Sequence, residues 1–322
     1  MRTIRLTALA ALALAVLVAE PAGATFPGRN GEIAISTESG GKYSEQRTAL
    51  LAYTPPSRAF VRHEICSVRM DPSPLYCYGL ERASFSPDGG TIAAIADEGR
   101  GSWPGTAVLW LLTPDGQRTD RVPLATWYYD VRWAPDAAAF LATRFLDPNK
   151  TSSGPERRTA VVVLNRDGSE RTLLAADGSE PDWCADGRVV VAQHDEIWLL
   201  DVTRPGGVRR LTYRGGANPS CAPNSRRVAF TRRGAIWTVR TSGGRARRLT
   251  PGAAPVWSPD GKQIAYFHRR RDRASGLDFT FINRIGLRRL RIRQVSGTEV
   301  LTNDSYDDTV NQDPDWQAVT GP

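Results

Sequence analysis

Four basic residues recur at matched positions of the sequence and could together bind an anion. Each lies 11 residues after one position of an internal repeat, and the four are Arg144, His194, Arg232 and His268. If the repeats surround a common axis, these side chains converge at one end of it and focus a positive field there. Solvated arginines at strand ends are the alternative interpretation, and the sequence leaves both open.

Aromatic residues supply a second set of binding candidates. Trp103, Trp127 and Tyr128, together with Tyr306, fall in segments that we predict to be loops at the same end of the repeats. Exposed rings there could stack on sugar rings. Packing of these rings against the strands beneath them is the interpretation that we favour.

Signatures of catalysis and of metal binding are weak. The three histidines are scattered, the G-x-S-x-G motif of serine hydrolases does not occur, and there is no C-x-x-C pair. The stretch Ser86-Pro87-Asp88-Gly89-Gly90 matches the first half of a sialidase Asp box, but its place between two strands favours a simple turn. We therefore predict no catalytic residues, no metal and no cofactor, with an enzyme as the less favoured reading.

A repeat positions these candidates. The stretches ASFSPDGGTIAAIA, VRWAPDAAAFLATR, PDWCADGRVVVAQH, PSCAPNSRRVAFTR and PVWSPDGKQIAYFH align on Phe85, Trp133, Trp183, Cys221 and Trp257, at spacings of 36 to 50 residues. In each, a first strand enters a Pro-Asp-Gly-type turn and an alternating second strand follows. Stretches such as IWTVRT and RRLT supply a third and a fourth strand. Four antiparallel strands in about 40 residues predict one propeller blade.

The two ends of the chain supply one further unit. Asn30 and Gly31 are predicted to form a turn before a second strand at 33–37, and the stretch DPDWQAV around Trp316 is a first strand without a continuation. Pairing of these two strands would close the ring and remove its exposed edges. The sequence thus predicts an all-β fold, a six-bladed β-propeller with four antiparallel strands per blade, in one domain over residues 25–322.

The aromatic-Ser-Pro-Asp-Gly repeat with its IW and RRLT strands resembles the TolB-like six-bladed propellers. The resemblance covers nearly all of residues 26–319. It implies the fold but only weakly a function, because TolB carries an N-terminal α/β domain that has no counterpart in the motifs found here.

The first 24 residues have the pattern of a secretory signal peptide. Arg2 and Arg5 precede an apolar run of 14 residues, which is shorter than the roughly 20 needed to span a membrane, and Ala22-Gly23-Ala24 forms a cleavage motif. We expect cleavage near Ala24, a mature chain without a transmembrane segment, and a location outside the cytoplasm, secreted or in the cell envelope.

Charge and cysteine content complete the predictions. Residues 181–322 hold 23 basic and 14 acidic residues. Nearly all basic residues are arginine rather than lysine, which we attribute first to a GC-rich genome and second to a ligand. Four cysteines in an exported chain allow two disulfides. Cys66 and Cys77 flank a short loop and are predicted to pair. Cys184 and Cys221 lie on neighbouring innermost strands, where strand parity makes them face either towards or away from each other. We favour the facing pair, joined by a disulfide between blades, over two buried free thiols.

The predicted function is that of an exported binding scaffold. The turns between second and third strands define an upper face, with long connections predicted at 38–48, 97–106, 145–158 and 269–286. We expect this face to engage a partner protein or an anionic cell-envelope ligand, with no nucleic acid as partner and the chain as a monomer. The alternative is a lyase or hydrolase that acts on sugar or peptide at the channel mouth.

Overall fold

The computed structural model describes residues 26–40, 45–53, 60–69, 78–97, 107–146, 158–174, 177–204, 206–271, 278–294, 301–302, 309–310 and 314–320, with side chains described for most of them. All regular structure in these ranges is β-strand. Within them no helix is long and apolar enough to cross a bilayer.

Five sheets are built from strands that are consecutive in the sequence. One contains β4 (Tyr78–Phe85), β5 (Ile92–Asp97), β6 (Ala107–Leu112) and β7 (Arg118–Pro123). The next contains β8 (Tyr128–Trp133), β9 (Ala139–Phe145), β10 (Thr159–Asn165) and β11 (Glu170–Leu174). The third contains β12 (Gly178–Trp183), β13 (Val189–Gln193), β14 (Glu196–Leu200) and β15 (Val208–Arg210). The fourth contains β16 (Ala217–Cys221), β17 (Arg227–Arg232), β18 (Ala235–Arg240) and β19 (Arg247–Pro251). The fifth contains β20 (Ala253–Trp257), β21 (Gln263–Arg271), β22 (Asp278–Gly286), β23 (Ile292–Gln294) and β24 (Leu301–Thr302). These five sheets are the blades of an all-β propeller fold, so the prediction of six blades is wrong.

A composite sheet joins both ends of the chain. It contains β1 (Arg29–Gly40), β2 (Glu45–Tyr53) and β3 (Phe60–Arg69), together with β25 (Thr309–Val310) and β26 (Asp315–Val319). Trp316 lies opposite Ile33, as the two partial repeats predict. Asn30 and Gly31 do not form the predicted turn, because they lie inside β1 at an irregularity of its pairing with β26.

The prediction of four strands per sheet holds for four of these sheets and is wrong for two. The 12-residue β1 is long enough to pair with β26 near its start and with β25 at Thr37 and Glu38. The nine-residue β22 likewise pairs with both β23 and β24. The extra strands follow from this length, and the predicted loops at 38–48 and 269–286 are correspondingly shorter.

The repeated aromatic residue holds neighbouring blades together. Trp133 is 2% exposed, and its Nε1 donates a hydrogen bond of 3.1 Å to the Ser84 carbonyl of the preceding blade. Trp257 makes the same 3.1 Å bond to the Ser220 carbonyl. Buried aromatic rings supply large apolar area, and their polar atoms require partners. In these two repeats the Trp therefore both fills the gap between blades and fixes their register, whereas the buried Nε1 of Trp183 has no hydrogen-bond partner among the described residues.

The Ser-Pro-Asp-Gly stretch is a turn, as predicted. Ser86 donates a 2.5 Å hydrogen bond to Asp88 Oδ1, which also accepts from Gly90 N at 3.0 Å. The Ser86 bond holds the pKa of Asp88 below its usual range. Gly89 has φ +72°, and a Cβ there would lie 2.1 Å from the Ala318 carbonyl oxygen. Glycine thus lets the last strand pass against this turn.

The predicted facing pair of cysteines is confirmed. Cys184 and Cys221 form a disulfide with a Cα–Cα distance of 5.2 Å, and both residues are fully buried. Because β12 and β16 belong to adjacent blades, the bridge joins two blades covalently. The Cys66–Cys77 pair stays a prediction, since Cys77 lies outside the described residues.

Candidate functional site

The four matched basic residues occupy equivalent strand ends in different surroundings. Arg144 Nη1 lies 2.6 Å from Glu170 Oε1, and Glu170 Oε2 accepts a 2.6 Å hydrogen bond from the Tyr128 hydroxyl. His194 is exposed in the turn between β13 and β14. His268 is half-buried in β21. Their convergence on the axis stays a prediction, and none of the four lines the axial cavity formed by the described residues.

The aromatic candidates are packed rather than presented to solvent. Tyr128 is 1% exposed in β8, and Trp127 is 6% exposed just before that strand. Burial, followed by the hydrogen bond to Glu170, raises the pKa of Tyr128. Trp103 lies outside the described residues. The two described rings therefore anchor the start of β8.

A small polar cavity lies on the axis. It has a volume of ≈ 30 Å³, and the first strands of the five blades and β26 all contribute lining residues. Arg132, Asp182 and Asp315 are the charged residues that line it. The buried Nη1 of Arg132 has no hydrogen-bond partner among the described residues. Asp182 Oδ2 accepts from Cys221 N at 2.8 Å, and Asp315 Oδ2 accepts from Phe85 N at 2.6 Å. The space suits roughly one or two waters rather than a sugar or a peptide.

Burial makes this cavity sensitive to pH. It raises the pKa of Asp182 to about 7, against the opposing effect of the Arg132 charge, and burial raises the pKa of Asp315 as well. A carboxyl group whose folded pKa is raised binds its proton in the folded chain between about pH 4 and 7, where the unfolded chain has released it. The folded state is therefore favoured at the acidic end of this window.

We expect the free energy of unfolding to decrease as pH rises from about 4 to about 7, and to level off above that. The Asp182→Asn variant should show a flatter profile, because its amide oxygen can still accept from Cys221 N but does not titrate. Urea denaturation across this pH range measures both slopes. The exposed Asp195→Asn change is the control, and a profile for Asp182→Asn that coincides with the wild-type profile would contradict the assignment.

A larger site, the arginine groove, lies beside the β16–β19 blade. Its volume is ≈ 920 Å³, and it runs between residues 211–214 after β15 and residues 232–248 of that blade. Its cationic lining consists of Arg214, Arg232, Arg233, Arg245, Arg247 and Arg248. No carboxylate is among the described lining residues. The groove therefore concentrates positive charge from two neighbouring blades.

Arg232 is the fixed member of the arginine groove. Its Nε donates a 2.8 Å hydrogen bond to the Gly215 carbonyl, and its guanidinium lies 5.0 Å from the centre of the Phe230 ring and 4.9 Å from that of Trp237. A guanidinium over aromatic faces is held without loss of its charge. Of the four matched basic residues, Arg232 is the one that the structure places in this groove.

The next residue, Arg233, is held by an unusual backbone conformation. It has φ +48° and precedes Gly234 with φ +64° in the two-residue turn between β17 and β18. Such turns favour Asn, Asp or Gly at the first position, because a longer side chain is strained at positive φ. The geometry of this turn therefore does not explain why residue 233 is an arginine.

Charge compensation within the groove is incomplete. Burial lowers the pKa of Arg232, the nearby Glu196 opposes this effect, and Arg214 and Arg233 add to it. The Glu196 carboxylate is already held by Arg210 Nη2 at 2.8 Å and by the Thr212 hydroxyl. Like charges gathered with so little compensation attract a counter-anion.

Sequence reasoning missed both the axial charges and most of the groove. Arg132, Asp182 and Asp315 each directly precede a Trp of the repeat, a regularity that could have identified them. The groove had a weaker signal, the arginine pairs of TRRGA and RARRL. The described residues contain no group of three or more His, Cys, Asp or Glu placed to hold a metal ion.

Solved structures resemble the chain over most of its length, at low identity. An acylaminoacyl peptidase has a TM-score of 0.47 and 12% identity, over 82% of this chain and 46% of the peptidase. The periplasmic gluconolactonase of Pseudomonas aeruginosa has a TM-score of 0.48 and 14% identity, over 89% of this chain and 100% of that one. The β-propeller domain of the Trilobed protease from Pyrococcus furiosus has a TM-score of 0.46 and 13% identity, over 87% and 98%. The chain thus spans about half the length of the peptidase.

No protein-family model matches the chain, and no curated protein matches it by sequence. The membership in the TolB-like propellers that the repeat indicates therefore stays a prediction. At 12–14% identity the solved structures assign no activity to this chain.

Proposed function

We propose that the protein is an exported binding scaffold that holds an anionic ligand in its arginine groove. The observation that carries the proposal is the collection of six arginines from two blades without a lining carboxylate among the described residues. Electrostatic focusing of this kind raises the local concentration of anions and speeds their association. In the same proposal the chain is a TolB-like propeller that is exported after cleavage near Ala24.

The shape of the groove favours an extended anion over a single small one. Arg214 and Arg233 lie on the upper-face connections. Arg245 lies just before the outermost strand β19, and Arg247 is its first residue. A ligand that contacts both ends of the groove must present several negative groups along its length. An anionic polymer of the cell envelope and an acidic segment of a partner protein both meet this requirement.

We expect the Arg214→Gln/Arg233→Asn/Arg247→Gln variant to bind dextran sulfate about 3- to 150-fold more weakly than the wild type, since each exposed ion pair contributes roughly 0.2–1 kcal/mol. Asn suits the positive φ at position 233, so the variant should unfold at the same temperature as the wild type or higher. Binding is measured by fluorescence titration at low and at moderate salt, because screening should weaken it.

The matched control removes three exposed arginines elsewhere, in Arg118→Gln/Arg166→Gln/Arg171→Gln. It changes the net charge by the same amount, so its affinity for dextran sulfate should stay near the wild-type value. Equal losses in both triple variants would show that affinity follows net charge alone, and would overturn the proposal. Equally tight binding of neutral dextran would also overturn it.

A further inference from the structure

A second basic surface lies on the β20–β24 blade, and it differs from the arginine groove in exposing apolar side chains. Residues 288–293, Arg-Arg-Leu-Arg-Ile-Arg, are all exposed, with Leu290 at 37% and Ile292 at 51%. We call them the basic edge. They run from the turn after β22 into the outermost strand β23. The segment contains four arginines, two aliphatic residues and no acidic residue.

The basic edge lies on the lower face, at the end of the strands opposite to the second-to-third-strand turns. Leu287 N donates a 3.0 Å hydrogen bond to the Lys262 carbonyl, which belongs to the turn between the first two strands of the blade. In an antiparallel blade these two turns lie at one end. The Arg233 turn of the groove joins a second to a third strand, so this end of the groove and the basic edge lie at opposite ends of their blades.

The backbone at Leu290 is not explained by the fold. Leu290 has φ +49°, a conformation that costs a bulky L-residue roughly 1–2 kcal/mol and that Asn or Gly adopts more easily. Its exposed side chain recovers little of this cost by burial. The strained turn instead presents Leu290 to solvent beside Ile292.

Two like charges also face each other at the base of this surface. Arg284 of β22 lies directly opposite Arg293 of β23, and like charges in such a cross-strand pair repel. Burial, and then the Arg293 charge, lower the pKa of Arg284. Arg284 Nη1 donates to the neutral Gln263 Oε1 at 2.9 Å, which does not neutralise the pair. An external anion would relieve this repulsion.

We propose that the basic edge docks the protein onto an anionic lipid surface, with Leu290 and Ile292 inserted among the lipids and the four arginines on the headgroups. Arginines attract an anionic leaflet, and partly inserted aliphatic side chains add apolar burial. A hydrated polyanion would use the arginines but would gain nothing from two exposed aliphatic groups. This combination favours a membrane as the occupant.

The test is co-sedimentation of the full chain with vesicles of phosphatidylcholine alone and of phosphatidylcholine mixed with phosphatidylglycerol. We expect binding to the mixed vesicles and little to the neutral ones. Arg288→Gln/Arg289→Gln/Arg291→Gln should lower the affinity about a hundredfold, at about 1 kcal/mol per arginine near the surface. The groove variant Arg214→Gln/Arg233→Asn/Arg247→Gln should keep most of its vesicle affinity, so the outcome does not depend on the function proposed for the groove.

The decisive variant leaves every arginine in place. Leu290→Asn/Ile292→Thr should bind the mixed vesicles about tenfold more weakly, bind dextran sulfate as the wild type does, and unfold at the same temperature or higher because Asn relieves position 290. Val208→Thr, at a residue that is 52% exposed on another blade, is the control and should bind vesicles normally. If the Leu290→Asn/Ile292→Thr variant bound the mixed vesicles as tightly as the wild type, the aliphatic side chains would not insert, and a hydrated polyanion would be the ligand instead of a membrane. Failure of the wild type to bind the mixed vesicles would overturn the proposal.

Discussion

Removal of residues 312–322 should abolish the cooperative unfolding transition. The deletion takes away β26, in which Trp316 is 2% exposed and Ala318 is fully buried. It leaves β1 without its partner along 29–34, and it removes the Asp315 carboxylate that accepts from Phe85 N. Because β26 pairs with β1 and packs against β4, the composite sheet and the β4–β7 blade both lose a neighbour. Scanning calorimetry and near-ultraviolet circular dichroism measure the loss.

Two smaller alterations of the chain serve as comparisons for this deletion. Trp316→Ala should lower the free energy of unfolding by about 3–5 kcal/mol while preserving a single transition, since it creates a cavity without removing a strand. Removal of residues 321–322 alone, after the end of β26, should change little. A chain without 312–322 that melts as the wild type does would contradict the closure of the ring by both ends.

Loss of the disulfide should have the next largest effect. Cys184→Ala/Cys221→Ala should lower the free energy of unfolding by about 4 kcal/mol, the value that chain entropy gives for a bridge across a sequence separation of 37 residues. Both cysteines are fully buried, so alanine adds a modest cavity cost. Guanidinium denaturation under oxidising conditions measures the change.

Reduction provides the matched comparison. Dithiothreitol should destabilise the wild type by about 4 kcal/mol more than it destabilises the Cys184→Ala/Cys221→Ala variant, because that variant has no bridge between these blades to lose. Equal stability of the oxidised and reduced wild type would show that the two blades are held without the bridge. The effect of any Cys66–Cys77 bridge cancels in this comparison, since both chains retain those residues.

The sequence alone determined the repeat and most of its local structure. Period-2 alternation after each turn predicted second strands such as β17 and β21, because alternate side chains of a strand face opposite sides. Ser86 to Gly90 predicted a turn because Pro fixes φ and Gly accepts a positive φ. The partial repeats around Ile33 and Trp316 predicted a pairing that joins both ends of the chain. All of these are short-range properties or direct comparisons of repeats.

The tertiary structure decided what no single repeat contains. Strand parity left Cys184 and Cys221 facing towards or away from each other, and only the relative position of two blades gives the Cα–Cα distance of 5.2 Å. Arg132, Asp182 and Asp315 share a cavity because first strands far apart in sequence meet at one axis. The arginine groove likewise exists only between blades. Side-chain type and spacing fix the direction of a residue within its own strand, whereas packing between sheets fixes which residues meet.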